Sequence, residues 1–169
     1  TKKELLRKYF GVLSFQEFNQ THSTNIFGID ALGNNECDGF LSSECKAAFA
    51  IKTADCIPLL LWDESKSVMS GLHCGWKGLK NDIISKAIEG NSSHPFTYAY
   101  IGPHISKDYF EVKDDFIEAF RESNKDIEPF LDNFDGKNYM NLREYTVNEL
   151  HQYGIEIINN FSPCSYLEK

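Results

Sequence analysis

The sequence predicts a single mixed-sheet α/β (α+β) domain over residues 1–169. Three observations predict it. Apolar segments of strand length alternate irregularly with segments of helical periodicity. Some neighbouring strands are joined by turns too short for a helix, so hairpin pairs break any regular parallel order. No repeat or low-complexity linker divides the chain, and its length is enough for one sizeable core.

Residues 2–9 set Leu5, Leu6 and Tyr9 among charges, the pattern of a short amphipathic helix. Residues 13–30 read as strands around a polar turn. Gly33-Asn34-Asn35 and Asp38-Gly39 mark turns. Residues 47–51 and 57–62 read as two strands flanking Lys52-Thr53-Ala54-Asp55-Cys56. Pro58 has no N–H to give a ladder, which points to an irregular start or an edge position for the second. Residues 63–66 form a hairpin turn, and residues 68–73 return as a strand.

A helix over residues 76–89 follows. Leu79, Ile83, Ile84, Ala87 and Ile88 share one of its faces, and Gly90 ends it. Residues 98–101 and 109–112 are strands, and residues 114–121 a helix. Residues 142–153 form another helix, with Asn141 as N-cap, Glu144 three positions on and Gly154 as the stop. Residues 155–158 make a last strand.

The 13 Phe and 8 Tyr supply core volume, with a pocket for a flat substrate as the alternative use. The formal net charge of −8 repels phosphate backbones, which argues against general nucleic-acid binding but not against one small anion in a local basic pocket. No apolar run approaches a membrane span, and the first residues carry no apolar signal region. The chain opens on Thr1 rather than Met, so its natural start is expected upstream. Five Cys, an odd number with no CxxC pair, read as reduced thiols of a cytoplasmic protein.

Chemistry is expected where polar residues interrupt the apolar centre. Thr53-Ala54-Asp55-Cys56 lies at the mouth of one strand. His73-Cys74-Gly75-Trp76 lies between another strand and a helix, where free backbone N–H groups favour an anion. Gly75 and Gly78 let backbone approach a ligand closely. Gln20-Thr21-His22 lies on or beside a third strand. Two His and one Cys suit zinc, and three protein ligands leave a position for water. The intervals, 34 residues from His22 to Cys56 and 17 from Cys56 to His73, match no compact zinc-finger pattern. The alternative is that Cys56 and His73 are packed core residues.

Gln20-Thr21-His22, Thr53-Ala54-Asp55-Cys56-Ile57-Pro58 and His73-Cys74-Gly75-Trp76-Lys77-Gly78-Leu79 together resemble the YfiH family, long named polyphenol oxidase or laccase-domain proteins. The resemblance continues through Ile101-Gly102-Pro103-His104-Ile105, Tyr109-Phe110-Glu111-Val112, the segment 142–155 and Cys164-Ser165. It implies a layered α/β/β/α fold with mixed sheets, shared with a cytotoxic-necrotizing-factor-like toxin domain. It implies metal ligands at His22, Cys56 and His73. The activities it implies are zinc-dependent phosphorolysis of adenosine, inosine and methylthioadenosine, and deamination of adenosine. The family pattern has Arg at the position of Lys77 and Cys-Thr at Cys164-Ser165. It also has segments before Thr1 and an Arg-bearing segment after Lys169, so the chain is expected to lack terminal parts of the full pattern.

Under that reading the catalytic residues are Cys56, Asp55 and His73, with Asp55 as proton shuttle or as a carboxylate tied to turn backbone. Lys77 and the N–H groups after Gly75 would hold phosphate, with a solvated helix lysine as the other reading of Lys77. His104 lines the pocket or sits in a surface loop. Trp76 anchors its helix in the core, with a stacking platform for a purine as the alternative use. A zinc deaminase of the cytidine type is excluded by the missing H-x-E and P-C-x-x-C signature.

Other readings use the same residues. Copper-dependent phenol oxidation follows the family's older name, but only five His are present, none in an H-x-H pair. Cys56 activated by His73 would make a cysteine hydrolase, and the family's link to cell-wall peptide precursors is what the resemblance implies for its substrate. A non-catalytic metal module would need Cys45 or Cys74 as a fourth ligand, and Cys74 should point away from His73 on a strand. The expected partner is a small molecule, a purine nucleoside with phosphate, and the oligomeric state is not legible.

Overall fold

Ile57, Leu59 and Leu61 are fully buried while Pro58, Leu60 and Trp62 between them are half-buried, and this alternation organises the molecule. A computed structural model describes residues 1–30, 35–65 and 67–167. Gly33 and Asn34 of the first expected turn, and Lys66 of the hairpin turn, lie outside the described residues. In chain order the elements are α1 (Lys2–Phe10), β1 (Ser14–Glu17), β2 (Ile26–Phe27), β3 (Gly39–Ser42), β4 (Ala47–Ala50), β5 (Ile57–Trp62) and β6 (Met69–Cys74). Then come α2 (Trp76–Lys80), α3 (Ile83–Gly90), β7 (Tyr98–Ile101), β8 (Glu111–Val112), α4 (Asp114–Glu122), β9 (Leu131–Phe134), β10 (Lys137–Met140), α5 (Leu142–Gln152) and β11 (Glu156–Ile157).

Six strands form one mixed sheet in the order β11-β7-β5-β6-β3-β2. Its outer pairs, β11 with β7 and β2 with β3, are parallel, and the inner pairs are antiparallel. One face carries Leu59, Leu61, Leu72, Cys74 and Ile101. These pack with Ile83, Ile84 and Ala87 of α3, Phe116 and Phe120 of α4, and Leu142, Tyr145 and Leu150 of α5. The register Pro58↔His73 and Leu60↔Gly71↔Phe40 puts His73 on the opposite face with Phe40. There Phe18, Cys37 and Phe40 form a second cluster with Phe49 of β4. The parallel pair β1-β4 covers that face. The result is the mixed α/β layering expected, with His73 facing the space between two β layers.

Four expectations need correction. β5 is a central strand, not an edge, despite Pro58. The carbonyl of Pro58 accepts the N–H of Gly102 at 2.8 Å, just past the end of β7, so the missing N–H faces the place where ladder pairing on that side stops. The helix over 76–89 is two helices. Asp82 adopts a left-handed φ of 65°, a conformation Asp and Asn tolerate, and its carboxylate pairs with Lys125, which also reaches Glu149 at 3.4 Å. Asp38-Gly39 is no turn: Gly39 opens β3 and Asp38 is fully buried. The expected strand over 109–112 is shorter: Tyr109 ends a 3₁₀ turn over Lys107–Tyr109, and the strand is Glu111–Val112.

The β9–β10 hairpin was not foreseen. Asp135 and Gly136 at its tip have φ of 52° and 72°, the pair of positive angles a tight hairpin turn demands. The α5 signals hold. Asn141 accepts the N–H of Glu144 at 3.1 Å, and Gly154 has φ 69° just past the end.

Candidate metal centre

Three connections build the centre. Cys56 ends the connection from β4 to β5. His73 is the last residue but one of β6, and is buried. His22 lies in the loop between β1 and β2, not on a strand, with a left-handed φ of 60°. Its Nε2 is 3.9 Å from Cys56 Sγ, and its ring is 4.7 Å from that of His73 at an interplanar angle of 64°. One ligand atom from each of the three lies within 4.8 Å of the others. Zinc–nitrogen and zinc–sulfur bonds of about 2.1 and 2.3 Å at tetrahedral angles need ligand atoms about 3.5 Å apart, so slight closure accommodates an ion.

Asp38 stands behind both histidines. Its carboxylate accepts the backbone N–H groups of Thr21 (3.1 Å), His22 (3.0 Å) and Ser23 (2.7 Å), and the Ser23 hydroxyl (2.8 Å). Its Oδ1 also lies 2.8 Å from His73 Nδ1. Nδ1 therefore carries the proton, and Nε2 is the free ligand atom. The main chain repeats the link, since His73 N–H donates to the Asp38 carbonyl at 2.7 Å. Burial works against the Asp38 carboxylate, but the donors from His73, Ser23 and Thr21 bring its pKa down to about 2. Burial likewise works against a charged His73, yet Asp38 and Cys56 hold its pKa up at about 9.

Two more features bring the loops together. Gln20 Nε2 donates to the Lys52 carbonyl and its Oε1 accepts the Lys52 N–H, both at 2.8 Å, clamping the His22 loop to the Cys56 loop. A Cβ on Gly75 would stand 2.8 Å from His22 Cδ2 and 3.1 Å from Cys56 Sγ, so only glycine leaves the ligands room. The helix after it, α2, has only five residues, so it offers a weaker dipole than the long helix expected.

Neither thiol proposed as a fourth ligand joins the centre. Cys74 faces the helical side of the sheet, fully buried, its pKa pushed far up by that burial. Cys45 is exposed beside Ser42, Trp62 and Met69, at the other end of β5 and β6. Among the described residues no other cluster of three such ligands occurs.

The remaining candidates sit as follows. Asp55 is half-buried; its Oδ1 accepts the Ser165 hydroxyl at 3.0 Å and its carbonyl the Ile105 N–H at 3.0 Å. His104 is buried, not a surface-loop residue. Its Nδ1 lies 2.8 Å from the Gly102 carbonyl, and burial lowers its pKa. Its main chain accepts the Ser165 N–H at 2.9 Å, so Asp55, His104 and Ser165 are stitched together. Lys77 is exposed, its Nζ 5.7 Å from the centre of the Trp76 ring. Trp76 packs on Phe116 at 5.1 Å between ring centroids, a core anchor as expected. A surface hollow of about 650 Å³ between α4 and the β9–β10 hairpin is lined by Asp114, Asp115, Glu118 and Glu128, and belongs to another part of the surface.

Sequence reasoning missed Asp38, the Lys52 half of the clamp and the contact from Ser165 to Asp55. For Asp38 the one trace is a charge set between Cys37 and Phe40, which also looks like a turn.

The fold and this open two-His, one-Cys centre define a metal-dependent enzyme. The chain belongs to the YfiH family, described as multi-copper polyphenol oxidoreductase laccase, whose profile matches residues 2–169. A purine nucleoside phosphorylase of Rickettsia conorii is 29% identical over 174 residues, covering 97% of this chain and 71% of that protein. An adenosine deaminase, RL5, from an unknown prokaryotic organism is 28% identical over 73% of this chain and 54% of its own length. A crystal structure from Neisseria meningitidis superposes with a TM-score of 0.80 at 27% identity, covering 98% of this chain and 70% of that one. No helix among the described residues is long and apolar enough to cross a membrane.

Proposed function

We propose that this chain is a zinc-dependent purine nucleoside enzyme, cleaving adenosine, inosine or methylthioadenosine with phosphate and deaminating adenosine. The observation that carries the reading is the convergence of His22, Cys56 and His73, three ligands with His22 exposed to solvent. The names of the relatives support the substrate class. When bound at such a site, zinc supplies electrophilic activation of water or of a substrate oxygen.

The chain's own residues do the rest. Asp38 keeps the proton on His73 Nδ1 and turns Nε2 inward. Asp55, held by Ser165 through Oδ1, moves a proton beside Cys56. Lys77 and the N–H groups following Gly75 hold phosphate. The unprotonated Nε2 of His104 offers an acceptor to the nucleoside. All five thiols are free, which supports a cytoplasmic location.

The family's description favours a second reading, copper-dependent phenol oxidation, and it covers nearly the whole chain. Metal analysis of protein purified without added metal, paired with chromatography of adenosine and phosphate reactions, tests both. Adenine, inosine and hypoxanthine report phosphorolysis, deamination and the two in sequence. Oxygen consumption with a phenol and no nucleoside conversion would replace the first reading by the second. Activity that survives complete metal removal would point instead to Cys56 as a nucleophile.

A further inference from the structure

We propose that Asp38 is the positioning residue of the metal centre, one buried carboxylate that sets both histidine ligands at once. The inference rests on reading His22, Cys56 and His73 as a metal site. It goes beyond that reading by naming what makes the site a preformed one.

Five donors converge on the two oxygens of Asp38. Three are successive backbone N–H groups, of Thr21, His22 and Ser23, and they belong to the His22 limb together with the Ser23 hydroxyl. The fifth is Nδ1 of His73. His22 has a left-handed backbone that a non-glycine residue rarely adopts, and the convergence of N–H groups on one anion holds it there. Asp38 thus fixes His22 through its main chain and His73 through its ring. The residue itself is locked from both sides, by its N–H to the Asn25 carbonyl at 2.9 Å and by its carbonyl to the His73 N–H at 2.7 Å. An ordinary loop cap would need only the first limb. The second limb selects the tautomer of a ligand 35 residues from Asp38 in the chain, and has no use in loop capping.

Asparagine is nearly isosteric but cannot replace the carboxylate. It offers one oxygen, and its NH₂ group would face N–H donors. Outer groups that orient a metal ligand are typically worth about 10- to 100-fold in metal affinity.

The experiment titrates the metal-free chain with zinc against a chromophoric chelator, and with cobalt(II), whose visible spectrum reports the ligand set. Thermal unfolding without metal is recorded beside it. For Asp38→Asn the expected result is zinc binding weaker by about 10- to 100-fold and an altered cobalt spectrum. Ser23→Ala removes one donor of the five and should cost about three- to tenfold. It carries the test if Asp38→Asn does not fold. Lower thermal stability with zinc affinity and cobalt spectrum unchanged, in whichever variant folds, would reduce Asp38 to a structural loop cap and overturn the inference. A wild-type chain that takes up neither metal would overturn the metal reading, and this inference with it.

Discussion

His73 Nδ1 lies 2.8 Å from Asp38 Oδ1, and that carboxylate is closed off from solvent. The pair makes the metal-free centre a proton store, because His73 is held up at about 9 against an ordinary value of 6.5. A raised pKa in the folded state stabilises the fold fully below about 6.5, and that contribution is lost as pH climbs through about 9. Metal binding has the opposite sign, since the ion must displace the proton from Nε2. The unfolding temperature of metal-free protein should therefore fall between about pH 6.5 and 9 while zinc affinity rises. Melting curves and chelator competition across that window check it, and His73→Gln should flatten the affinity profile.

Gly75→Ala is expected to weaken zinc binding by at least about tenfold. The backbone at Gly75 has φ −74° and accepts alanine without strain, so the effect is the new methyl against His22 and Cys56. Chelator competition reads it. Unchanged affinity would mean that the two ligands do not close on a common ion there.

Cys56→Ala should abolish metal uptake and activity with a stability loss on the order of 1 kcal/mol. Cys56 is half-buried at a strand entrance and belongs to neither apolar cluster, so little packing goes with it. Thermal unfolding set beside kinetics separates the roles. Full activity in this variant would remove both the metal and the thiol-nucleophile readings.

The β9–β10 turn offers a test free of the site. A Cβ on Gly136 would meet nothing within 4 Å, so Gly136→Ala acts through its φ of 72° alone. The expected cost is about 1 kcal/mol, with metal affinity unchanged. Chemical denaturation measures it, and a neutral result would argue that the hairpin tip relaxes to another turn.

The sequence by itself determined what depends on near neighbours. The short apolar run of residues 57–62 made β5, and Asn141, Glu144 and Gly154 set the ends of α5. The chemical suitability of two His and one Cys, with the motifs around them, named the ligands. Only the tertiary structure decided that these meet, because His22 and Cys56 are 34 positions apart and the sheet order, with the Gln20–Lys52 clamp, brings their loops together. It also decided that Asp38 is a buried anchor rather than a turn, through contacts with Thr21, Ser23 and, 35 residues on, His73. The break at Asp82 and the central place of Pro58 came the same way, from Lys125 and Gly102. Local pattern fixes which dihedral wells a segment prefers. A buried charge, a left-handed residue or a proline in a central strand is settled by which distant donors and acceptors reach it.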